Sequence, residues 1–371
     1  MTEAGVIIML GPAGSTSPEQ LMAAARQAAT LDLITLLRDH GIGPIVVYSS
    51  TPDDWPPPAN VILSPSKTAF HFGTQLADLL TDLGWKRVAY FGGASAPLID
   101  SATLTQIGRL LQTSHAHRRV LTNNLHSSDW LAMTDVDASL SIIRGSQRDN
   151  SLAWRLREEG SYSVQVTSPD RPATAFDLDT PSDLATIRHH PGCRPRLRQE
   201  LEESRLLDPV PLPPILARLR EPGTRVALIG RVAPRAWEAL SRATQCWIRV
   251  FSEERGMVAS ERHQRGQVRS LLGKLLELQG PAAFFETMSQ IVDIALIDSR
   301  VLMAHFGAYP DDADRFASDL LMTSAIKNPW LHDFTTAAAN APLPVLLGGH
   351  SIVAGGLHVI SEILLEADGA N

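Results

Sequence analysis

Asp177 and Asp179 stand one residue apart in the stretch F-D-L-D-T-P-S-D-L, residues 176–184. Carboxylates presented at the end of a strand are hard oxygen ligands, suited to Mg²⁺ bound to a nucleotide phosphate. The same residues also fit purely local physics. Thr180 or Ser182 can N-cap a helix, Pro181 suits its first turn, and Asp183 sits where a carboxylate favours the positive end of the helix dipole. The residues alone leave both readings open.

A second group lies in the other half of the chain. Gly348-Gly349-His350-Ser351 follows an apolar run and precedes a helical pattern. Glycines there permit close backbone approach, and a helix start offers N–H groups to an anion. His350 is a candidate acid or base, and Ser351 a candidate nucleophile or cap; the plainer reading of a lone histidine is a hydrogen-bonded structural one. I-R-V-F-S-E-E-R brings Arg249 and Arg255 to a strand end, and D-I-A-L-I-D-S-R brings Asp298 and Arg300 to another. Arg262, Arg265 and Arg269 recur at helical spacing over 261–278. Planar guanidiniums in such places suit a phosphate or carboxylate. The plainer readings are a solvated face with ion pairs and, for Asp298, an N-cap with its salt bridge. No G-x-S-x-G, Walker lysine or G-x-G-x-x-G is present, so no named reaction follows.

The elements that must position these residues alternate between short β-branched runs and longer helical periods, the pattern of an α/β fold. Strands are expected at 6–10, 43–48, 60–63, 87–91, 162–166 and 174–178. Helices are expected from 18 to 40, from 69 to 83, from 101 and from 182. Prolines around a short charged helix make 191–223 a linker between domains at 1–190 and 224–371. Beyond it, strands are expected at 224–230, 246–251, 293–298 and 343–349. The helices of this half fall near 234–243, 261–278, 281–290, 311–325, 329–340 and 351–366.

The bulk composition limits the function classes. At 371 residues, two domains are the first expectation. The 44% hydrophobic and 20% charged content is that of a globular chain, and the net charge of -7 argues against sequence-independent nucleic-acid binding. Two cysteines without ligand spacing argue against a disulfide scaffold or cysteine zinc site and point to a reducing cytoplasm. The N-terminus reads as no signal peptide, and no apolar run reaches the ~18 residues of a membrane span. The expected partner is a small nucleotide or phosphorylated molecule rather than nucleic acid or membrane, with a homo-oligomer allowed by apolar helices such as 351–366.

Residues 1 to about 190 resemble the nucleotidyltransferases of GT-A-like fold, particularly the guanylyltransferases of molybdenum-cofactor and deazaflavin-cofactor synthesis. The specific match is Asp177-Leu178-Asp179-Thr180-Pro181-Ser182-Asp183-Leu184, which fits their D-[IL]-D-T-P-x-D-L. G-G-A-S-A-P-L-I-D-S-A-T-L (92–104) is similar to a stretch that ends a strand and caps a helix. T-N-N-L-H-S-S-D-W (122–130) is similar to an acceptor-side loop. The resemblance implies nucleotide contacts at Gly11, Gly14, Ser15, Gly92, Gly93, Ser95 and Pro97, and acceptor contacts at Asn123, Asn124 and Asp129. It makes Asp179 the catalytic Mg²⁺ ligand. Two departures stand out: the loop G-P-A-G-S-T-S-P has no basic residue before Arg26, and no acid stands at 92–96, where the family's metal-binding Asp is expected.

The combined expectation is an α/β protein of two three-layer domains, the first nucleotidyltransferase-like and the second a smaller Rossmann-like parallel sheet. It would bind a nucleotide or nucleotide-sugar, with Mg-dependent transfer to a small phosphorylated acceptor. The alternatives are a catalytically degenerate binding module, or a separate activity in the second domain. There His350 would be catalytic and Arg249, Arg255, Asp298, Arg300, Gly348, Gly349 and Ser351 would hold an anion.

Overall fold

The computed structural model describes residues 3–49, 58, 61–65, 71–113, 117–168 and 170–369. The expected starts of the 60–63 strand and the 69–83 helix lie outside them. The chain divides into two compact units, one formed by 1–13, 23–177 and 194–197, the other by 14–22, 178–193 and 198–371. Both are α/β.

Seven strands form the sheet of the first unit: β1 (Ala4–Leu10), β2 (Ile45–Ser49), β3 (Val61–Pro65), β4 (Arg87–Gly92), β5 (Arg119–Thr122), β6 (Trp130–Thr134) and β7 (Ser163–Val166). Their order is β3-β2-β1-β4-β6-β5-β7, and β6 alone runs antiparallel to its neighbours. The helices are α1 (Ser17–Asp39), α2 (Phe72–Leu83), α3 (Ser101–Gln112), α4 (Val136–Arg144), α5 (Leu152–Gly160) and α6 (Pro172–Ala175). Strand side chains alternate between two cores. Val6, Ile8, Val47 and Phe91 meet Leu33 and Leu37 of α1 and Leu104 and Ile107 of α3. Ile7, Met9, Val46 and Tyr90 meet Leu76 and Leu80 of α2, Ile143 of α4 and Leu156 of α5. This is the expected three-layer sandwich.

Two local expectations change. The strand expected at 174–178 is the single turn α6 followed by extended chain outside the sheet. Phe176 and Leu178 are buried while Asp177 and Asp179 are more open, so the residues alternate as in a strand without pairing as one. Conversely, β5 and β6 were not expected. Both are short, and R-V-L-T and W-L-A-M-T carry little alternation to mark them.

The second sheet holds β8 (Arg225–Gly230), β9 (Trp247–Ser252), β10 (Ile294–Asp298) and β11 (Val345–Gly348), all parallel in the order β11-β10-β8-β9. The remaining helices are α7 (Pro181–Arg188), α8 (Pro195–Glu203), α9 (Leu212–Leu219), α10 (Pro234–Ala243), α11 (Leu271–Gln279), α12 (Pro281–Ile291), α13 (Ser299–His305), α14 (Asp312–Asp319), α15 (Pro329–Ala339) and α16 (Gly355–Gly369). Ala227, Ile229, Ala295, Ile297 and Leu347 pack against Phe284, Phe285, Leu331 and Phe334 on one face. On the other side, α16 packs with α7, α9 and α10.

The helix expected over 261–278 begins only at Leu271, capped by Ser270, whose hydroxyl accepts from Gly273 N–H at 2.9 Å. Residues 255–266 are turns, and Gly266 takes a left-handed φ of 62°. Arg262, Arg265 and Arg269 therefore share no helical face. Arg262 pairs with Glu254 at 2.5 Å, while Arg265 and Arg269 donate to backbone carbonyls.

An ion pair is sunk in the second unit. Arg300 holds Asp319 through both terminal nitrogens at 2.5 and 2.7 Å, and neither residue has appreciable exposed surface. Removing one partner strands a buried charge, so Asp319→Ala should cost about 3–5 kcal/mol in urea unfolding. An Arg300→Met/Asp319→Leu double variant should recover most of that loss, because both desolvation costs disappear together.

Candidate functional site

In the first unit the chain leaves β1 toward α1 and β2 on one side, and β4 lies on the other. The loops after β1 and β4 thus diverge at a topological switch point, where open α/β sheets form a crevice. Gly11 is exposed and a Cβ there would meet nothing, so packing does not demand glycine. Gly93 differs. Its N–H donates to Met9 O at 2.7 Å, and a Cβ would lie 2.6 Å from Leu10 Cδ2 and 2.9 Å from Met9 O.

The loop then turns sharply. Ser95 returns its N–H and hydroxyl to Gly92 O at 3.0 and 2.8 Å, while Ala94 and Ala96 adopt φ of 95° and 54°. Two alanines at positive φ store strain that the surrounding packing must hold. Residues Ala94, Ser95, Ala96, Pro97 and Ile99 are all buried. Asp100 ends the loop by capping α3, accepting from Thr103 N–H at 2.8 Å, and binds Arg171 at 2.6 Å.

No acid stands at 92–96, yet one reaches that place in space. A Cβ on Gly92 would lie 3.4 Å from Asp149 Oδ2 and 3.7 Å from the Tyr90 hydroxyl. Tyr90 donates to Asp149 Oδ2 at 2.9 Å, and burial, then the charges of Asp149 and Asp129, push its phenol well above the usual range. Beside it, Asn123 Nδ2 donates to Asp129 Oδ2 at 2.6 Å, and Asp129 N–H returns to Asn123 Oδ1 at 3.1 Å. Gly92 N–H donates to Asp129 O at 3.0 Å, which joins the two groups. Asn124 faces away in function: its Oδ1 closes the turn by accepting from His126 and Ser127. Sequence reasoning missed Asp149 and Tyr90. Asp149 lies outside every motif, and Tyr90 reads as an ordinary core strand residue.

Gly14 and Ser15 belong to the second unit. The anion cradle expected of their backbone is filled from within. Glu19 Oε2 accepts from Ser15 N–H at 3.1 Å, Thr16 N–H at 2.9 Å and the Thr16 hydroxyl at 2.8 Å. This is a capping arrangement at the start of α1, and the bonds from Thr16 hold the Glu19 carboxyl below its ordinary pKa.

The D-x-D pair is split: Asp177 ends the first unit's long segment, and the second unit resumes at Leu178. From there the motif packs on the second sheet. The Ser182 hydroxyl donates to Leu347 O, and Cβ atoms on Gly348 and Gly349 would lie 3.0 Å from the Ser182 side chain and 2.9 Å from Thr180 Cγ2. The glycine pair thus admits the start of α7. Asp183, fully buried, accepts at Oδ2 from Thr180 N–H at 2.7 Å, Asp179 N–H at 3.1 Å and the Thr180 hydroxyl at 2.9 Å. Burial first, then the Asp179 charge, push its pKa up to about 7, against the hydrogen bonds of Thr180 and Ser351. The Ser351 contact is loose, since neither Ser351 Oγ nor Asp183 Oδ1 makes a well-formed hydrogen bond.

Asp179 itself is exposed. Among the described residues no three His, Cys, Asp or Glu side chains gather so as to hold a metal ion. This donor set does not fit a resident Mg²⁺.

The second switch point lies between β8 and β10. Asp298, at the end of β10, is held by Arg231 Nε at 2.6 Å and Nη2 at 3.0 Å. Burial would raise the Asp298 carboxyl, but Arg231 outweighs it and the pKa lies below the ordinary value. Gly230 has a φ of 111°, and a Cβ there would strike Asp298 Cβ at 2.5 Å. Asp298 is thus engaged by the largely covered Arg231, and Arg300 by the buried Asp319. His350 is exposed, in a single 3-10 turn after β11. Its crowded surroundings, then the charges of Arg231 and Arg255, hold its pKa down to about 4. Arg249 sits on the open edge strand β9, opposite Ala227.

No protein-family model matches this chain, and no curated protein does. A cytidylyltransferase structure from Leptospira borgpetersenii serovar Hardjo-bovis is similar at 15% identity, covering 54% of this chain and 93% of its own, with a TM-score of 0.38. The bifunctional IspDF of Campylobacter jejuni is similar at 12% identity over 49% of this chain and 53% of its own, with a TM-score of 0.33. No helix among the described residues is long and apolar enough to cross a membrane.

Asp183 gives a pH signature. Between the unfolded carboxyl pKa near ~4 and the folded value of about 7, the folded chain holds a proton that the unfolded chain has lost. Stability from this group therefore falls as pH rises through that window and is level above it. Asp183→Asn, which keeps an acceptor for Thr180, should flatten the fall and be roughly 1–3 kcal/mol more stable than its parent at pH 8 by urea unfolding across pH.

Proposed function

We propose that the first unit binds a nucleotide or nucleotide-sugar in the crevice at the carboxyl ends of β1 and β4. One observation carries the reading: the strained loop 92–99, buried from Ala94 onward, lies at the switch point beside two preset polar pairs, Asn123–Asp129 and Tyr90–Asp149. Carboxylates held this way are acceptors for ribose or sugar hydroxyls and for base N–H groups. The resemblance of D-L-D-T-P-S-D-L and of 92–104 to guanylyltransferases supports the same ligand class.

Transfer to a small phosphorylated acceptor, with Mg²⁺ and Asp179, is the finer form that the resemblance implies. Two observations favour binding without transfer. Glu19 already occupies the N–H groups of Ser15 and Thr16, and among the described residues no carboxylate cluster gathers for a metal.

The test is a thermal-shift panel of the four ribonucleoside triphosphates, their nucleosides and nucleotide-sugars, each with Mg²⁺ and with EDTA. At least one compound should raise Tm by about 2–4 °C at saturation. Asp149→Asn and Asn123→Ala should each remove most of that shift. The binding form expects the shift to survive EDTA and Asp179→Asn, whereas loss in both conditions shows a metal-dependent site that uses Asp179, as the transfer form requires. No stabilisation by any compound would sink the reading.

A further inference from the structure

The second unit carries a cluster that the nucleotide reading does not use. Each of its four parallel strands delivers a basic side chain within a few residues of its carboxyl end. Arg231 follows β8, Arg255 follows β9, Arg300 follows β10 and His350 follows β11. Parallel strands present those ends along one edge of the sheet, and the β8/β10 switch point falls among them. Arg315 of α14 and Tyr309 complete the group: the Arg315 guanidinium lies 4.8 Å from the centre of the Tyr309 ring, and Tyr309 interacts electrostatically with Arg231, Arg300 and Arg315.

The charges do not cancel. Four guanidiniums, of Arg231, Arg255, Arg300 and Arg315, meet two buried carboxylates, Asp298 and Asp319. The other nearby acids are already engaged: Glu253 accepts from Ser270 and Leu271, Glu254 pairs with Arg262, the exposed Asp311 caps α14 and the exposed Asp312 pairs with Arg315. Arg255 has no hydrogen-bond or ion-pair partner among the described residues, nor does the Tyr309 hydroxyl. Arg231 commits Nε and Nη2 to Asp298, and Nη1 has no acceptor among the described residues. The charges of Arg231 and Arg255 both reach the His350 ring, where they add to the larger effect of desolvation in lowering its pKa.

The geometry points to an oxyanion site in the second unit, in which Arg255, Nη1 of Arg231, Tyr309 and His350 take a phosphate group, either inorganic phosphate or the phosphate of a small monoester. Asp298 and Asp319 fix Arg231 and Arg300 in position, so the site is built before the anion arrives. A compact dianion is favoured over a monocarboxylate because it can accept from several of these donors at once.

Isothermal titration calorimetry of the full chain with inorganic phosphate, phosphoserine, glucose 6-phosphate and acetate tests this. Saturable binding of phosphate or of a phosphomonoester is expected, with acetate at least tenfold weaker. A monoester that binds more tightly than phosphate marks the organic ligand as the natural source; the reverse order marks the free ion. Arg255→Ala, at an exposed position, should weaken binding at least about tenfold, the loss of one charge-assisted contact. Tyr309→Phe should weaken it by less. Arg242→Ala removes the same charge from the same unit at the end of α10, where Arg242 pairs with Glu238, and should leave affinity unchanged. No saturation with any phosphate up to 10-millimolar order, or equal losses in Arg242→Ala and Arg255→Ala, would overturn the site. Nucleotide stabilisation that persists in Arg255→Ala belongs to the first unit, so the two readings fail separately.

Discussion

A carboxylate with no exposed surface must be paired or neutral, and Asp298 at the centre of the second sheet is paired. Its charge is met by Arg231, and much of the local chain is shaped by that demand. Gly230 has to lack a Cβ and turn through a positive φ so that Arg231 can swing over the Asp298 side chain. The same rule acts one helix further on, where Arg300 turns inward to Asp319 instead of facing solvent. Desolvation thus decides which of the strand-end charges are structural and which remain for a ligand.

Asp183 follows the other branch of that rule. It has backbone and hydroxyl donors but no cation, and with Asp179 nearby it holds its proton toward neutral pH. The stretch F-D-L-D-T-P-S-D-L therefore has a clear structural role in this chain. Thr180 and Asp183 close a helix start, Ser182 reaches a strand carbonyl, and the glycine pair 348–349 leaves room for both. Its two leading carboxylates fall to different units, which a reading of the motif as one ligand set does not anticipate.

The layered fold was legible wherever burial is one-sided or continuous. V-I-I-M-L, R-V-A-Y-F and D-I-A-L-I-D announce strands because each is buried along its length, and the helices between them carry apolar faces. Legibility failed at short or irregular pieces: β5 and β6 hold few residues, and 174–178 has strand-like alternation with no partner strand. Of the site, the motif positions at 92–97 and 123–129 could be read directly. Asp149 could not, because it reaches the Gly92 position through the turn before α5, a proximity created only by folding. The strand-end arginines were visible as residues, but nothing in their spacing says that Arg300 is spent on Asp319 while Arg255 is left open.

Glu19 carries a consequence for any anion that approaches the start of α1. Its carboxylate is tethered three residues from Thr16, so it competes for those N–H groups as an intramolecular ligand at a very high effective concentration. An incoming phosphate would have to displace it and find somewhere for the released negative charge to go. The loop G-P-A-G-S-T-S-P is in this sense already liganded, and selectivity at that helix start works by occupancy rather than by shape.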